Sequence, residues 1–392
     1  MLTAAALVFM AAGNGARAND GQRATTAAAA DTTAADSAPP HRRTLGRRIL
    51  GYIANANKPH PDRKFDFSIL GGPHYNTNTK LGLGLVAAGL YNTDRSDSLM
   101  KTSNVSLFGD VSTVGFYMLG VRGLHIFPGR RYRLDYTVSF SSFPSKFWGM
   151  GFSMGDESGN ESDMDRLQAQ AKATFLIRVA DGLYAGPLAA YDYVLATDVE
   201  RPELLCGMDT RTHNVGVGLA VVYDTRDVTT NPRRGVYASV EQTFRPRFMG
   251  NDYAFSTTEV RADAYCSLWR GATLAADLRT SLNFGNPSWA MMAKLGGPYS
   301  MRGYYEGRYR DKHKIEAQVE LRQHISGRHG FVVWAGAGTV FSKFGAMRMD
   351  HVLPNLGAGY RWEFKQNVNV RLDYGFGKSG QSGFMFNINE AF

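Results

Sequence analysis

From about residue 63 to the C-terminus, apolar and polar residues alternate with a period of two. The clearest stretch is 314–325. Ile315, Ala317, Val319, Leu321 and Ile325 fall on one face, and Glu316, Gln318, Glu320, Arg322 and His324 on the other. Successive side chains of an extended strand point to opposite faces, so this run predicts a strand with one apolar and one charged face. A single such strand suits a soluble sandwich as well as a barrel in a bilayer. Repetition favours the barrel. Sixteen segments carry the pattern: 64–71, 81–91, 103–112, 115–126, 131–147, 168–179, 183–197, 213–223, 235–244, 254–268, 272–284, 314–325, 331–341, 356–365, 368–374 and 383–392. About 20 residues per strand and connection fits spans of roughly 10 residues joined by alternating short turns and longer loops. An even count puts both barrel ends on the periplasmic side. Rings near strand ends, such as Phe147, Trp148, Tyr360 and Trp362, suit the membrane–water boundary.

The first 62 residues lack this alternation. Residues 2–12, LTAAALVFMAA, are too short to span a bilayer and have the length of a signal-peptide core. They end at Ala16-Arg17-Ala18, a small-x-small cleavage pattern. Residues 1–18 are therefore expected to be a signal peptide. The positive segment that usually opens one is missing, as expected if the translation start lies upstream. Residues 19–62 read as a disordered periplasmic tail rich in Ala, Thr, Asp and Arg, with a short basic amphipathic helix over 45–53. Residues 63–392 form the outer-membrane barrel.

Composition permits this reading. Mean hydropathy is −0.28, too low for a helical membrane protein but natural for alternating strands. The net charge of +9 is solvated in loops and lumen, or meets anionic lipid headgroups. Nothing groups the charges into a nucleic-acid footprint. Cys206 and Cys266 have no metal-like spacing, and Cys266 has the parity of a small lipid-facing residue. The nine histidines sit in no H-E-x-x-H pattern and there is no G-x-S-x-G, so no catalytic residue, metal or cofactor is expected.

Three segments go beyond a generic barrel. Residues 296–311, GGPYSMRGYYEGRYRD, lie between the eleventh and twelfth predicted strands. Residues 223–237, YDTRDVTTNPRRGVY, join the eighth to the ninth. The chain ends in FMFNINEAF. These segments, with a weaker match at FPSKFWGMG (143–151), resemble the BamA/TamA-like outer-membrane protein family, the bacterial surface-antigen and protein-translocation barrels. The resemblance covers roughly 65–392. It assigns Arg302, Gly303 and Tyr304 to the family's Arg-Gly-aromatic loop, Asp224, Arg226 and Asp227 to a periplasmic turn, and Phe384, Phe386, Ile388 and Phe392 to the terminal strand signal. It implies an all-β, sixteen-stranded antiparallel transmembrane β-barrel with an inward-folded extracellular loop. It also implies a member without polypeptide-transport-associated domains, since residues 19–62 cannot hold one.

Arg302 in a protein-lined lumen would need a carboxylate, because an unpaired buried guanidinium is costly. Glu316 and Glu320 have lumen parity on the following strand, and Glu320 is preferred. In much of the family an Asp on the thirteenth strand serves, but here that stretch reads WAGAGTV, with Gly336 where the Asp would stand. Asp224, Arg226 and Asp227 could instead form an exposed ion pair worth about 0–1 kcal/mol. The resemblance implies a non-enzymatic role in outer-membrane biogenesis: protein or lipid insertion, export, or scaffolding of a partner. Outer-membrane lipids and a periplasmic or lipoprotein partner are the expected contacts. Strand 1, FDFSIL, is short and followed by Gly71-Gly72-Pro73, which suggests a weak seam. The alternative is a passive pore or structural barrel.

Overall fold

The structure is a computed structural model that describes residues 65–76, 80–93, 103–365 and 367–392. The expectations for the signal peptide, the tail and the 45–53 helix lie outside the described residues. Eighteen strands are formed: β1 Phe65–Asn76, β2 Lys80–Tyr91, β3 Ser103–Ser112, β4 Tyr117–Ile126, β5 Tyr132–Phe147, β6 Ser162–Ala180, β7 Leu183–Thr197, β8 Arg211–Asp224, β9 Gly235–Arg245, β10 Phe255–Ser267, β11 Ala272–Gly285, β12 Ala293–Lys294, β13 Arg310–Asp311, β14 His313–Ser326, β15 His329–Phe341, β16 Leu353–Lys365, β17 Val368–Phe376 and β18 Ser382–Ile388. Sixteen of them close into one antiparallel barrel, each next to its neighbour in sequence. The exceptions, β12 and β13, pair with each other inside the connection between β11 and β14. A short helix α1, Phe152–Asp156, sits in the connection between β5 and β6.

The alternation does what the period demands. Leu83, Leu85, Leu119, Val138, Leu219 and Leu356 are exposed on the outer face. Asp263, Asp277, Gln318, Glu320, Arg371 and Asp373 are buried inside. Closure gives every barrel strand a neighbour on both sides, which is what a strand-built membrane span requires.

Four sequence expectations change. Phe147 and Trp148 are buried, 0% and 2% exposed, and are not boundary rings. Phe147 packs edge-on against Trp289, part of an apolar cluster with Met164, Leu204 and Leu205 under the extracellular loops. The alternation over 356–365, which puts Leu356, Ala358, Tyr360, Trp362 and Phe364 on the outer face, also breaks. A bulge between Glu363 and Lys365 shifts the register, and Phe364 is buried rather than outward. β1 is longer than FDFSIL: it runs through Gly71-Gly72-Pro73, paired with β2 from Phe65↔Tyr91 to Asn76↔Lys80. Finally, β18 ends at Ile388, so Phe392 lies beyond the strand.

The seam between first and last strands is thin. Among the described residues the register pairing of β1 with β18 is confined to Asn76↔Met385, although β17 and β18 pair from Val370↔Ile388 to Phe376↔Ser382.

Candidate functional site

The long connection after β11 folds back into the barrel and carries Arg302. Its side chain is fully buried. Nη2 donates to Glu320 Oε2 at 2.6 Å and to Gln318 Oε1 at 3.3 Å, and Nη1 donates to Asp373 Oδ2 at 2.8 Å. The guanidinium lies over the Trp334 ring, 3.6 Å from its centroid. Two carboxylates and a π face together replace the water that the cation loses.

The loop backbone is seated as closely as its side chains. Gly303 has φ +111°, in the region that favours glycine, and a β-carbon there would stand 2.6 Å from the Gly375 carbonyl oxygen. Tyr304 Oη donates to the Pro354 carbonyl at 2.6 Å and accepts from the Lys378 amide at 2.7 Å. Tyr305 Oη accepts from the Lys146 amide. Glu316, the other carboxylate considered, holds Ser300 Oγ and Lys314 Nζ instead of Arg302.

The Arg302 pair belongs to a closed circuit. Glu320 Oε1 accepts from Arg322 at 2.7 Å, and Arg322 stands 3.9 Å from Glu390. Glu390 pairs with Arg361 at 2.8 Å, Arg361 with Asp373 at 2.6 Å, and Asp373 returns to Arg302. Three arginines and three carboxylates alternate around this ring. It ties the loop, β14, β16, β17 and the tail after β18 together. Alternation lets each buried charge meet two of opposite sign, which offsets desolvation that one pair would not. Asp373, Arg361 and Glu390 were missed by sequence reasoning. Asp373 and Arg361 have lumen parity in their strands, but sequence distance hid their convergence on Arg302.

The tail fills the far end of the lumen. Phe392 is 5% exposed, packs against Tyr265, and its main-chain oxygen accepts from Arg322 Nη2 at 2.9 Å. Phe384 and Phe386 share the outer face with their partners Tyr374 and Leu372. The side chain of Ile388 lies outside the described set. In the 225–234 connection, Arg226 forms a bidentate pair with Asp224, whose side chain is 7% exposed, and lies over Tyr237. Asp227 Oδ1 accepts the amides of Val228, Arg233 and Arg234, closing the turn.

Above the loop, α1 forms a lid. The Gly151 amide donates to the Arg310 carbonyl, Arg308 Nε to the Gly155 carbonyl, and Tyr309 Oη to Asp156. Lys378 reaches Asp156 from the last extracellular turn at 3.0 Å. Burial pushes the Asp156 carboxyl up, but the hydrogen bonds from Lys378 and Tyr309 outweigh it and hold it low. Burial pushes Tyr309 up to about 12. Among the described residues no group of three His, Cys, Asp or Glu could hold a metal, and both cysteines are free.

The sequence of residues 125–392 matches the Omp85 superfamily domain. The chain belongs to the Omp85 superfamily. Solved Omp85-like barrels share its fold at low identity. BamA from Haemophilus ducreyi lacking POTRA domains 1–3 gives a TM-score of 0.55 at 14% identity, over 81% of this chain and 69% of that one. CdiB from Acinetobacter baumannii gives 0.53 at 12%, over 84% and 60%. CdiB from Escherichia coli gives 0.54 at 11%, over 85% and 63%, so this chain spans less than two thirds of either CdiB. No curated protein matches the sequence. The Omp85 assignment makes this an outer-membrane β-barrel.

Proposed function

We propose that this Omp85 barrel serves outer-membrane biogenesis by admitting protein or lipid at the seam between β1 and β18, with a periplasmic or lipoprotein partner delivering the cargo. The observation that carries the reading is the seam itself. Among the described residues the register pairing of β1 with β18 is confined to Asn76↔Met385, so few ladder bonds resist parting there. A cavity of about 880 Å³ lies directly behind, lined by Gly71, Gly72, Ser382, Gly383 and Met385 on the seam side and by Tyr304 and Tyr305 on the loop side. Opening the seam would join this cavity to the bilayer. A passive pore needs a clear lumen. Here the loop occupies the lumen from one end and the tail from the other, which favours the biogenesis reading.

The test is a seam lock. Asn76 and Met385 face each other in register, and directly opposed residues of antiparallel strands approach closely enough for a disulfide. Asn76→Cys/Met385→Cys, built with Cys206→Ser and Cys266→Ser, is compared oxidised and reduced in a strain lacking the native gene. The oxidised form should reproduce the outer-membrane protein and lipid changes of the gene deletion, and reductant should reverse them. A locked barrel that restores the membrane as well as the open one would refute the seam mechanism.

A further inference from the structure

The rim where β1 begins and β18 ends holds a second cavity, of about 450 Å³, whose charge is lopsided. Six arginines line it: Arg233, Arg234, Arg270, Arg322, Arg328 and Arg361. Glu363 and Glu390 are the only carboxylates in the lining. Glu390 is taken up by Arg361 and Asn369, and Glu363 accepts the Asn367 amide. Arg233, Arg270 and Arg328 form no ion pair among the described residues. At the inner end, Arg322 and Arg361 are 6% and 4% exposed, and Arg322 Nη1 and Arg361 Nη2 are buried donors without an acceptor. An unsatisfied buried donor on a charged group is costly, and both of these arginines belong to the lining of this one cavity. A protein that gathers this much positive charge in a small concavity is built for an anion.

The surroundings indicate which anion. The cavity is bounded by the two short turns at 268–271 and 327–328, so the wall is low there. Trp269 and Phe331 belong to its lining, with Leu268 and Ile325 beside them in sequence or on the neighbouring strand, at 57%, 40%, 46% and 63% exposure. Trp269 donates its indole N–H to Gln323 and leaves its ring outside. An exposed apolar girdle with a tryptophan marks the edge of the hydrocarbon layer. The cavity mouth is therefore level with lipid headgroups, and basic pockets at this level suit phosphate-bearing heads.

We propose that this cavity binds the phosphate headgroup of an anionic phospholipid from the leaflet facing the terminal rim, with Arg270 and Arg328 at the mouth and Arg322 and Arg361 at the inner end. The site is independent of the seam. A bound head would neutralise the excess charge beside the Arg322–Glu390–Arg361 segment of the lumen circuit, so occupancy should stabilise the tail.

The detergent-solubilised full-length chain is titrated with dioleoylphosphatidylglycerol, dioleoylphosphatidylcholine and inorganic phosphate, with binding read by native mass spectrometry. The mouth variant is Arg270→Gln/Arg328→Gln, which leaves the buried circuit intact. A charge-matched control, Arg211→Gln/Arg247→Gln, removes two exposed arginines at the opposite rim. Heat-modifiable migration on gels reports that each variant is folded. The glycerol lipid should bind more tightly than the choline lipid and raise the unfolding temperature. The mouth variant should lose roughly thirtyfold in affinity for it while the control keeps wild-type affinity. Equal loss in both variants, equal binding of the two lipids, or inorganic phosphate binding as tightly as the lipid would overturn the proposal. So would an acidic peptide such as oligoglutamate displacing the lipid at equal concentration.

Discussion

The carbonyl oxygen of Arg302 lies so close to β17 that a β-carbon on Gly375 would stand 2.0 Å from it. The loop is therefore seated on bare backbone, and its depth is set by the lack of a side chain at Gly375. Gly375→Ala should lift the loop and pull Arg302 away from Asp373, at a cost of about 1–3 kcal/mol for the forced shift. Cleavage of the 286–312 connection by external protease should rise, and the unfolding temperature should fall. Gly345→Ala, where a β-carbon meets open space, is the control. If Gly375→Ala behaves like that control, the loop is not held at this depth.

The ring of charges makes a second prediction. Removing one partner of a buried pair costs on the order of 3–5 kcal/mol when the other charge is left alone. Here Arg302→Ala leaves Glu320 with Arg322 and Asp373 with Arg361, so its cost should lie below that range. Glu320→Ala leaves Arg322 with the Phe392 main-chain oxygen and, as its nearest side-chain carboxylate, Glu390 at 3.9 Å, and should cost more. The Arg302→Ala/Glu320→Ala cycle should be non-additive by about 0.5–3 kcal/mol, as expected for residues in one network. Strict additivity in thermal or denaturant unfolding would remove the coupling between them.

How much of this was legible in the chain follows from which interactions are local. Alternation is local, so the strand from 314 to 325 could be read from residues such as Val319 and Glu320 alone. The Arg302–Glu320 pair was within reach because the loop and β14 are adjacent in sequence. Asp373 was not, since only barrel closure brings β17 against a loop 71 residues earlier. Phe147, Trp148 and Phe364 misled for a related reason. An aromatic at a strand end has the same parity signal whether it meets lipid or folds under a loop. The loop cluster around Trp289 and the bulge at Glu363/Lys365 settle which. The reading of β1 as short failed because proline is tolerated in an edge-like strand, and β1 pairs with β2 along its whole length but in register with β18 only at Asn76↔Met385 among the described residues.

Acid should loosen the lid. Asp156 is held below the ordinary carboxyl value of 3.8 by Lys378 and Tyr309 against the opposing effect of its burial. A carboxyl whose pKa is lowered on folding stabilises the fold above its unfolded value, and that contribution is lost as pH falls through the folded value. The clamp between α1 and the Lys378 turn is therefore expected to be intact at neutral pH and to weaken below about pH 4. Both side chains are more than a third exposed, so solvent screening keeps the effect small. Hydrogen exchange at residues 152–160 should rise in acid, and Asp156→Asn should show the raised exchange already at pH 7. Exchange independent of pH in the wild type would sever the lid from this ion pair.

Phe392 offers the sharpest division between two roles of the C-terminus. Its ring is buried against Tyr265 and lies 5.1 Å from the Arg322 guanidinium, inside the lumen rather than on the lipid face. If it acts through that packing, deleting it should destabilise purified, refolded barrel, since losing a buried phenylalanine ring costs about 3–5 kcal/mol. The loss should also disturb Glu390, two residues away, and with it the hold on Arg361. If the terminal ring is read only during assembly, refolded protein should melt at the wild-type temperature while assembled barrel in cells declines. The lumen geometry predicts the first pattern: both refolded stability and assembled barrel fall, and secretion to the periplasm continues. Phe392→Leu, which keeps apolar volume but loses the π face toward Arg322, should recover part of the stability. A deletion that leaves both the melting temperature and the assembled level unchanged would show that the tail is dispensable in both roles.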